Sequence, residues 1–419
     1  MRVPLILTRN SPEPDTATAP ALSMRESDTR ARKHFGQLLA LLVQLIISAT
    51  GLFLIGCAVG ANRQWLDHHI LPSFLLPRDW FVGIQNAVRV AMGAAGALLI
   101  AHVTPRAGRV VRAAPEFSLS VVVAAGLAMV ASEPLLRRME FRPAGWLSAD
   151  DEPRRRADAS LGWSLVPSRA AHVRISGRTI DYLVDANGYR VSRPDAPVDR
   201  TQPTVLFTGE SVMFGEGLAW NESVPARVGA RLGVQTANLA VHGFGSDQAF
   251  LRLRDDLPHF RQPLAVVSLF MPELFGRNLD RERPHLGPGL VWRPAVQRWR
   301  VASLLRLMVP YRSASLIDQG VALTREIFAG TRTLAQSHQA IPLIVVPQFG
   351  AATGPEQDLL RRIFSDLDVP VTFVQLDPTW RLPWNRHPDV RAAEAIADAV
   401  TRRLMRDLEA MIGARHADL

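Results

Sequence analysis

Between Phe35 and Asn62 the chain carries no charged side chain (FGQLLALLVQLIISATGLFLIGCAVGAN). A helix needs roughly 20 apolar residues to cross the hydrocarbon core of a bilayer, and in lipid it must satisfy every backbone group internally. This run meets both conditions, so a transmembrane helix is its expected fate. It is too long for a secretory signal, and a basic stretch precedes it. Two further runs are candidate spans: Phe81–Val103, interrupted by Arg89, and Phe117–Ser132, closed by Glu133 and Pro134. For each, a buried or interfacial helix is the alternative. Three spans is the preferred count within a membrane region of residues 35–135.

Basic residues near span ends set orientation. Arg25, Arg30, Arg32 and Lys33 precede the first run, the next loop holds Arg63 and Arg78, and Arg106, Arg109 and Arg112 lie between the second and third runs. This pattern favours a cytoplasmic N-terminus, although Arg137, Arg138 and Arg142 after the third run argue the other way. One or three spans put the C-terminal domain outside the cytoplasm, whereas two reverse it. The expected location is a bacterial inner membrane with the domain facing the periplasm or the outside. Residues 1–34 read as a disordered basic segment and 136–159 as a linker.

A net charge of +9 would ordinarily suggest nucleic acid. Lys33 is the sole lysine, however, and the arginines are scattered without a zinc-finger, RRM or basic-helix pattern, so no nucleic-acid partner is expected. Cys57 is the only cysteine, which excludes an internal disulfide, a CxxC pair and a thiolate metal site. The histidines are dispersed and no HExxH occurs, so neither a metal nor a cofactor is expected.

From about residue 160 the pattern changes. Short continuous apolar runs at Thr204–Thr208, Gln235–Ala240, Leu264–Met271, Ile341–Pro347 and Val369–Leu376 read as strands buried on both faces. Helical patterns alternate with them at Ser223–Leu232, Asp247–Asp256, Ala302–Gln336, Pro355–Leu367 and Pro388–Ile412. The expected fold is α/β, a three-layer doubly wound parallel sheet over residues 160–415, preceded by the transmembrane helices. Ligands of such sheets bind at the carboxyl ends of the strands.

Three such ends carry unusual residues. The first strand runs into Gly209-Glu210-Ser211, where a serine at a strand-to-helix turn can present its hydroxyl to a crevice; Ser211 as a plain helix cap explains the same letters. The second runs into His242-Gly243-Phe244-Gly245, where the Gly243 amide could serve an oxyanion, or the glycines could simply make a turn. His242 is a possible base with no orienting acid near it in sequence. After the last strand, His387 sits on a loop before Pro388.

Together these segments resemble the SGNH/GDSL hydrolases, in their bacterial membrane-associated branch. TVLFTGESVMFGEGL is similar to the first block, with Glu210 where aspartate is usual; NLAVHGFGSDQAFLRL is similar to the second, and RHPDVRAAEAIADAV to the fifth. LGWSLVP and DANGYR resemble the preamble of such proteins. The resemblance implies a serine ester hydrolase or O-acyltransferase with Ser211 as nucleophile, His387 as base, and the Ser211 and Gly243 amides in the oxyanion hole. Two positions depart from it. The third block has Pro272-Glu273 where the oxyanion asparagine is usual, leaving Asn278 as the stand-in. The triad acid's place is held by Trp384, leaving Asp377 preferred over Asn385 and Asp389, or a Ser-His dyad. The implied substrate is an envelope ester, namely an acylated polysaccharide, a cell-wall glycan or a lipid. The alternative is an inactive SGNH-like glycan-binding or scaffold domain.

Overall fold

The computed structural model of the chain describes residues 19–69, 71, 78–138, 152–175, 177–303, 311–383 and 386–417. It divides into two compact units, Met1–Asn62 with Gln85–Ala131, and Arg63–Ile84 with Ser132–Leu419.

The N-terminal third holds α1 (Ala19–Gly60), α2 (Arg63–His69), α3 (Arg78–Leu98), α4 (Thr104–Ala113) and α5 (Pro115–Arg138), with a π turn at Leu99–Val103 joining α3 to α4. Three stretches, Arg30–Gly60, Asp79–Ala113 and Pro115–Arg138, are long and apolar enough to cross a membrane. Leu45, Phe53, Val122 and Leu127 on them are exposed, a surface that water penalises and lipid does not. Arg89, the charge that interrupts the second run, donates through Nε to Ala58 O at 3.0 Å within the first unit. The helix begins earlier than expected. Residues 19–34, read from sequence as disordered, are helical because Pro20 falls in the first turn, where its missing N–H costs little, and helix formers follow. Residues 1–18 and 139–151 lie outside the described residues.

The short α2 belongs to the second unit. Trp65 stacks on Tyr311 at 5.7 Å, and His69 O accepts from Arg312 N at 2.9 Å. The end of α5 is tied to the same unit, where Glu133 Oε2 accepts from Val301 N at 3.1 Å.

That unit is built on an eight-stranded sheet and two small hairpins. In chain order the strands are β1 (Arg155–Asp158), β2 (Gly162–Leu165), β3 (Ala170–Ile175), β4 (Arg178–Val184), β5 (Arg190–Val191), β6 (Pro203–Thr208), β7 (Gln235–Asn238), β8 (Gln262–Leu269), β9 (His285–Gly287), β10 (Val291–Arg293), β11 (Ile341–Phe349) and β12 (Val371–Leu376). The helices are α6 (Ser211–Phe214), α7 (Val224–Leu232), α8 (Ser246–Asp256), α9 (Ala314–Ser337), α10 (Gly354–Phe364) and α11 (Val390–Ala417). Sheet order is β12-β11-β8-β6-β7-β5-β4-β3, parallel from β12 to β7 and antiparallel beyond. The helices pack on both faces, α7 with α11 on one and α8 with α9 and α10 on the other. This is the three-layer doubly wound fold expected, with β6 at its middle and buried along almost its whole length.

Two details differ from expectation. The preamble supplies three antiparallel strands that extend the sheet past β7. The helix expected over Ala302–Gln336 is not continuous: residues 300–303 are helical, 311–313 are not, and the long helix begins at Ala314, capped by Ser313 Oγ, which accepts from Leu316 N at 3.3 Å. Residues 304–310 lie outside the described residues.

Asp247, in the first turn of α8, is fully buried and takes two hydrogen bonds from Arg283, Nη1 to Oδ2 at 2.9 Å and Nη2 to Oδ1 at 2.8 Å. Arg283 Nη2 also donates to Arg277 O, so this ion pair pins the segment after β8 to the start of α8. Removing one partner strands the other's charge. Asp247→Ala is expected to cost about 3–5 kcal/mol of stability in unfolding of the full chain in detergent, and Asp247→Leu with Arg283→Met much less.

Candidate active site

The nucleophile turn starts where β6 ends. Gly209 has φ 152°, and a Cβ there would meet Leu269 Cβ and Met213 Cβ at 3.2 Å each, so the turn admits only glycine. Glu210 caps the following one-turn helix, Oε2 accepting from Val212 N at 3.1 Å, and Ser211 is the first residue of that helix.

What holds the rest of this loop is a buried arginine. Arg190 is 0 % exposed and donates from Nη1 to Phe214 O and Gly215 O at 2.7 and 2.8 Å, and from Nη2 to Leu218 O at 2.6 Å. Its guanidinium lies 4.9 Å from the rings of Tyr182 and Phe214. Burial pulls its pKa down to about 10, against the charges of Tyr182 and Glu222. The Tyr182 hydroxyl accepts from Gly217 N at 2.8 Å, and Asn238 Nδ2 donates to Met213 O and Phe214 O. The carbonyls at the end of so short a helix thus have side-chain donors, and the loop from Ser211 to Leu218 is fixed from three strands.

The histidine loop is fixed by a second, half-buried arginine. Arg381 lies over the Phe349 ring, donates to Glu273 Oε1 at 3.3 Å and gives Nη1 to Arg386 O at 2.8 Å. Leu382 N donates to His387 O at 2.7 Å. Burial raises the pKa of Glu273 despite Arg381 beside it.

These anchors bring Ser211 Oγ to 2.8 Å from His387 Nε2, with the two residues 3 % and 7 % exposed. Glu210 Oε2 is 2.7 Å from the same Oγ. A hydroxyl has one hydrogen, so Ser211 donates to Glu210 when His387 carries a proton on Nε2, and is able to donate to His387 when that nitrogen is bare.

A second carboxylate was not foreseen. Glu216 Oε2 lies 2.7 Å from His242 Nδ1 and 3.2 Å from His387 Nε2. Burial would raise its pKa, but His242 and His387 outweigh burial and bring it down to about 2. It is therefore ionised at neutral pH and stabilises positive charge on His387. The sequence signal for this residue is faint: an acid between two glycines, Gly215 and Gly217, near the end of the first-block segment. The same contact supplies His242 with the acid that it lacks in sequence. The His387 pKa is lowered from 6.5 by burial, with Glu216 and Glu210 opposing that shift.

The structure does not bring Asp377 to His387. Its exposed carboxylate accepts from Thr379 N at 2.7 Å and Thr379 Oγ1 at 2.6 Å, which holds its pKa down. A short Asx turn at the strand end competes successfully for it. Asp389 is likewise engaged, with Arg391 and Ala392 N at the head of α11. Trp384 and Asn385 lie outside the described residues. Asn278 is also committed elsewhere: Oδ1 accepts from Ser246 N at 2.8 Å, and Nδ2 donates to Ser246 Oγ and Thr324 Oγ1. Both of its amide hydrogens are used, so the expected oxyanion role does not fit its placement. Gly243 has φ 79° on the turn after β7, and Val241 N donates to Gly209 O at 3.3 Å, so the second-block turn runs beside the nucleophile turn.

No protein-family model and no curated protein matches the chain. Solved structures similar to it include a protein assigned to the G-D-S-L lipolytic family from Desulfitobacterium hafniense DCB-2, at 11% identity and TM-score 0.31, covering 48% of this chain and 98% of that one. A family two carbohydrate esterase from Clostridium thermocellum, in complex with cellohexaose, is similar at 13% identity and TM-score 0.33, covering 51% and 67%. An acetyl xylan esterase from the rumen bacterium Butyrivibrio proteoclasticus is similar at 11% identity and TM-score 0.32, covering 51% and 66%. Likeness of this degree says nothing about the chemistry of the present chain, which rests on its own residues.

Serine activation requires neutral His387, so reactivity rises as pH rises through that pKa. Because burial sets it below 6.5, the acid limb of serine labelling is expected below pH 6.5. Glu216→Gln removes a charge that favours the protonated imidazole and should move the limb to still lower pH. A limb that stays put or moves up would show that Glu216 does not act on His387.

Proposed function

We propose that this chain is a membrane-anchored serine ester hydrolase or O-acyltransferase that works through an acyl-enzyme on an ester of the cell envelope. The observation that carries this reading is the buried 2.8 Å contact between Ser211 Oγ and His387 Nε2, between residues 176 positions apart in sequence. Ser211 attacks the ester carbonyl as His387 Nε2 takes its proton. The Glu216 carboxylate stabilises the resulting imidazolium, the electrostatic duty a triad acid performs elsewhere. His387 then returns the proton to the leaving alcohol, and water or a sugar hydroxyl accepts the acyl group by the reverse sequence. The Ser211 and Gly243 amides face the oxyanion in this scheme. An acylated polysaccharide, a cell-wall glycan and a lipid ester are the substrate classes consistent with an anchored domain.

Placement outside the cytoplasm is supported by the membership of α2 in the same compact unit as the sheet. The chain segment between α2 and the sheet contains two of the three apolar helical stretches. If both cross, the chain returns to the side on which α2 lies, and an N-terminus held inside by Arg30, Arg32 and Lys33 puts that side outside.

A fluorophosphonate probe applied to the full chain in detergent is expected to label the wild type and to fail on Ser211→Ala. His387→Ala should lose turnover on the order of 10⁶-fold. A folded wild type that ignores the probe would point instead to the inactive binding scaffold.

The topology is checked with an impermeant maleimide in a Cys57→Ala background. Gln64→Cys and Asp195→Cys should label in intact spheroplasts, and Arg109→Cys only after lysis. Labelling of Arg109→Cys together with Asp195→Cys before lysis would sink the three-span arrangement.

A further inference from the structure

The site described above is short of one oxyanion donor. At the third-block position stands Pro272, which has neither an N–H nor a polar side chain, and Glu273 beside it is turned to Arg381. Asn278 has spent its amide hydrogens on Ser246 and Thr324. Yet the same 3₁₀ segment, Pro272–Leu279, sends one cation toward the nucleophile. Arg277 Nη1 lies 3.6 Å from Glu210 Oε2, the oxygen that Ser211 Oγ touches at 2.7 Å.

We propose that Arg277 is the missing oxyanion donor, a catalytic residue that takes over the task of the third-block asparagine. This rests on the hydrolase reading of Ser211 and His387. Three observations support it. The guanidinium reaches the neighbourhood of the nucleophile, where it already approaches one anionic oxygen. It is not consumed there: its described side-chain partners are Glu210 at 3.6 Å and Phe244 O at 3.5 Å, both longer than the roughly 2.7–2.9 Å of a formed charge-assisted bond, and the side chain is 31% exposed. Its backbone is held in place, because Arg277 O accepts from Arg283 Nη2 at 2.8 Å and Arg283 is locked to buried Asp247.

In the step concerned, the Ser211 Oγ–carbon bond forms as its proton passes to His387 Nε2, and the carbonyl π pair moves onto oxygen. Arg277 donates N–H to that oxygen. As the oxyanion collapses, the carbon–oxygen bond to the leaving alcohol breaks and His387 Nε2–H supplies its proton. Arg277 gives up no proton at any stage.

The test uses the full chain in detergent with p-nitrophenyl acetate, an uncharged ester, and the fluorophosphonate probe. Arg277→Ala should lower kcat by about 10²–10³-fold with little change in KM, and slow labelling in parallel. Arg277→Lys, which keeps the charge and the fold but not the fork, should fall between. Free guanidinium should restore part of the Arg277→Ala rate and none of the Ser211→Ala rate. Wild-type kcat in Arg277→Ala overturns the proposal, as does a loss confined to KM, which would mark a substrate-binding residue. If Arg277 merely neutralises Glu210, adding Glu210→Gln to Arg277→Ala restores the rate, and that result also overturns it. A wild type that neither labels nor turns over overturns the hydrolase reading and this one together.

Discussion

The nucleophile loop depends on a guanidinium that has no carboxylate partner among the described residues. Arg190 is wholly buried and spends its Nη hydrogens on three carbonyls of the loop from Ser211 to Leu218. Removing a cation from water is costly, and here carbonyl dipoles and two aromatic faces offset that cost. The geometry leaves no room for adjustment. A Cβ on Gly215 would meet Arg190 Nη1 at 2.8 Å. The loop so fixed carries Ser211 at its start and Glu216 in its middle. One buried side chain from a two-residue strand therefore sets both the nucleophile and the carboxylate beside the base.

The histidine arrives by an independent route with the same logic. Arg381 joins half-buried Glu273, in the 3₁₀ segment that follows β8, to the backbone next to His387. Glu273 thus serves to anchor the base, and the same short segment, Pro272–Leu279, also carries Arg277. Ionisable groups cluster around Ser211: the carboxyls of Glu210 and Glu216, the guanidinium of Arg277 and the imidazoles of His387 and His242. Such an arrangement is expensive to assemble in a buried place unless its members fall within a few ångströms of one another, as they do here.

Much of the architecture was legible in the residues. Continuous apolar runs gave the five parallel strands to within a few residues, because strands buried on both faces lack alternation. The uncharged stretches gave the three long apolar helices. The antiparallel extension of the sheet was not legible, since β3 and β4 are only half apolar, β5 is two residues long, and their pairing depends on β7 being available at the edge. The helix start at Ala314 was misread because the apolar period continues upstream of the Ser313 cap.

The site shows the same division. Sequence alone determined that a serine follows the central strand and a histidine precedes the last helix, because turn chemistry and strand order confine those residues to one edge of the sheet. It also determined that a proline, with no N–H to donate, stands where the resemblance places the third block's asparagine. Only the tertiary structure decided which acids and cations complete the cluster. Asp377 is near His387 in sequence but finds closer donors in its own turn. Glu216, Arg190 and Arg277 come from a loop, a strand and a 3₁₀ segment far apart in sequence, and only the folded sheet brings them to one end of the nucleophile loop. Hydrogen-bond partners are chosen over a few ångströms in space, and sequence distance carries almost no information about that choice.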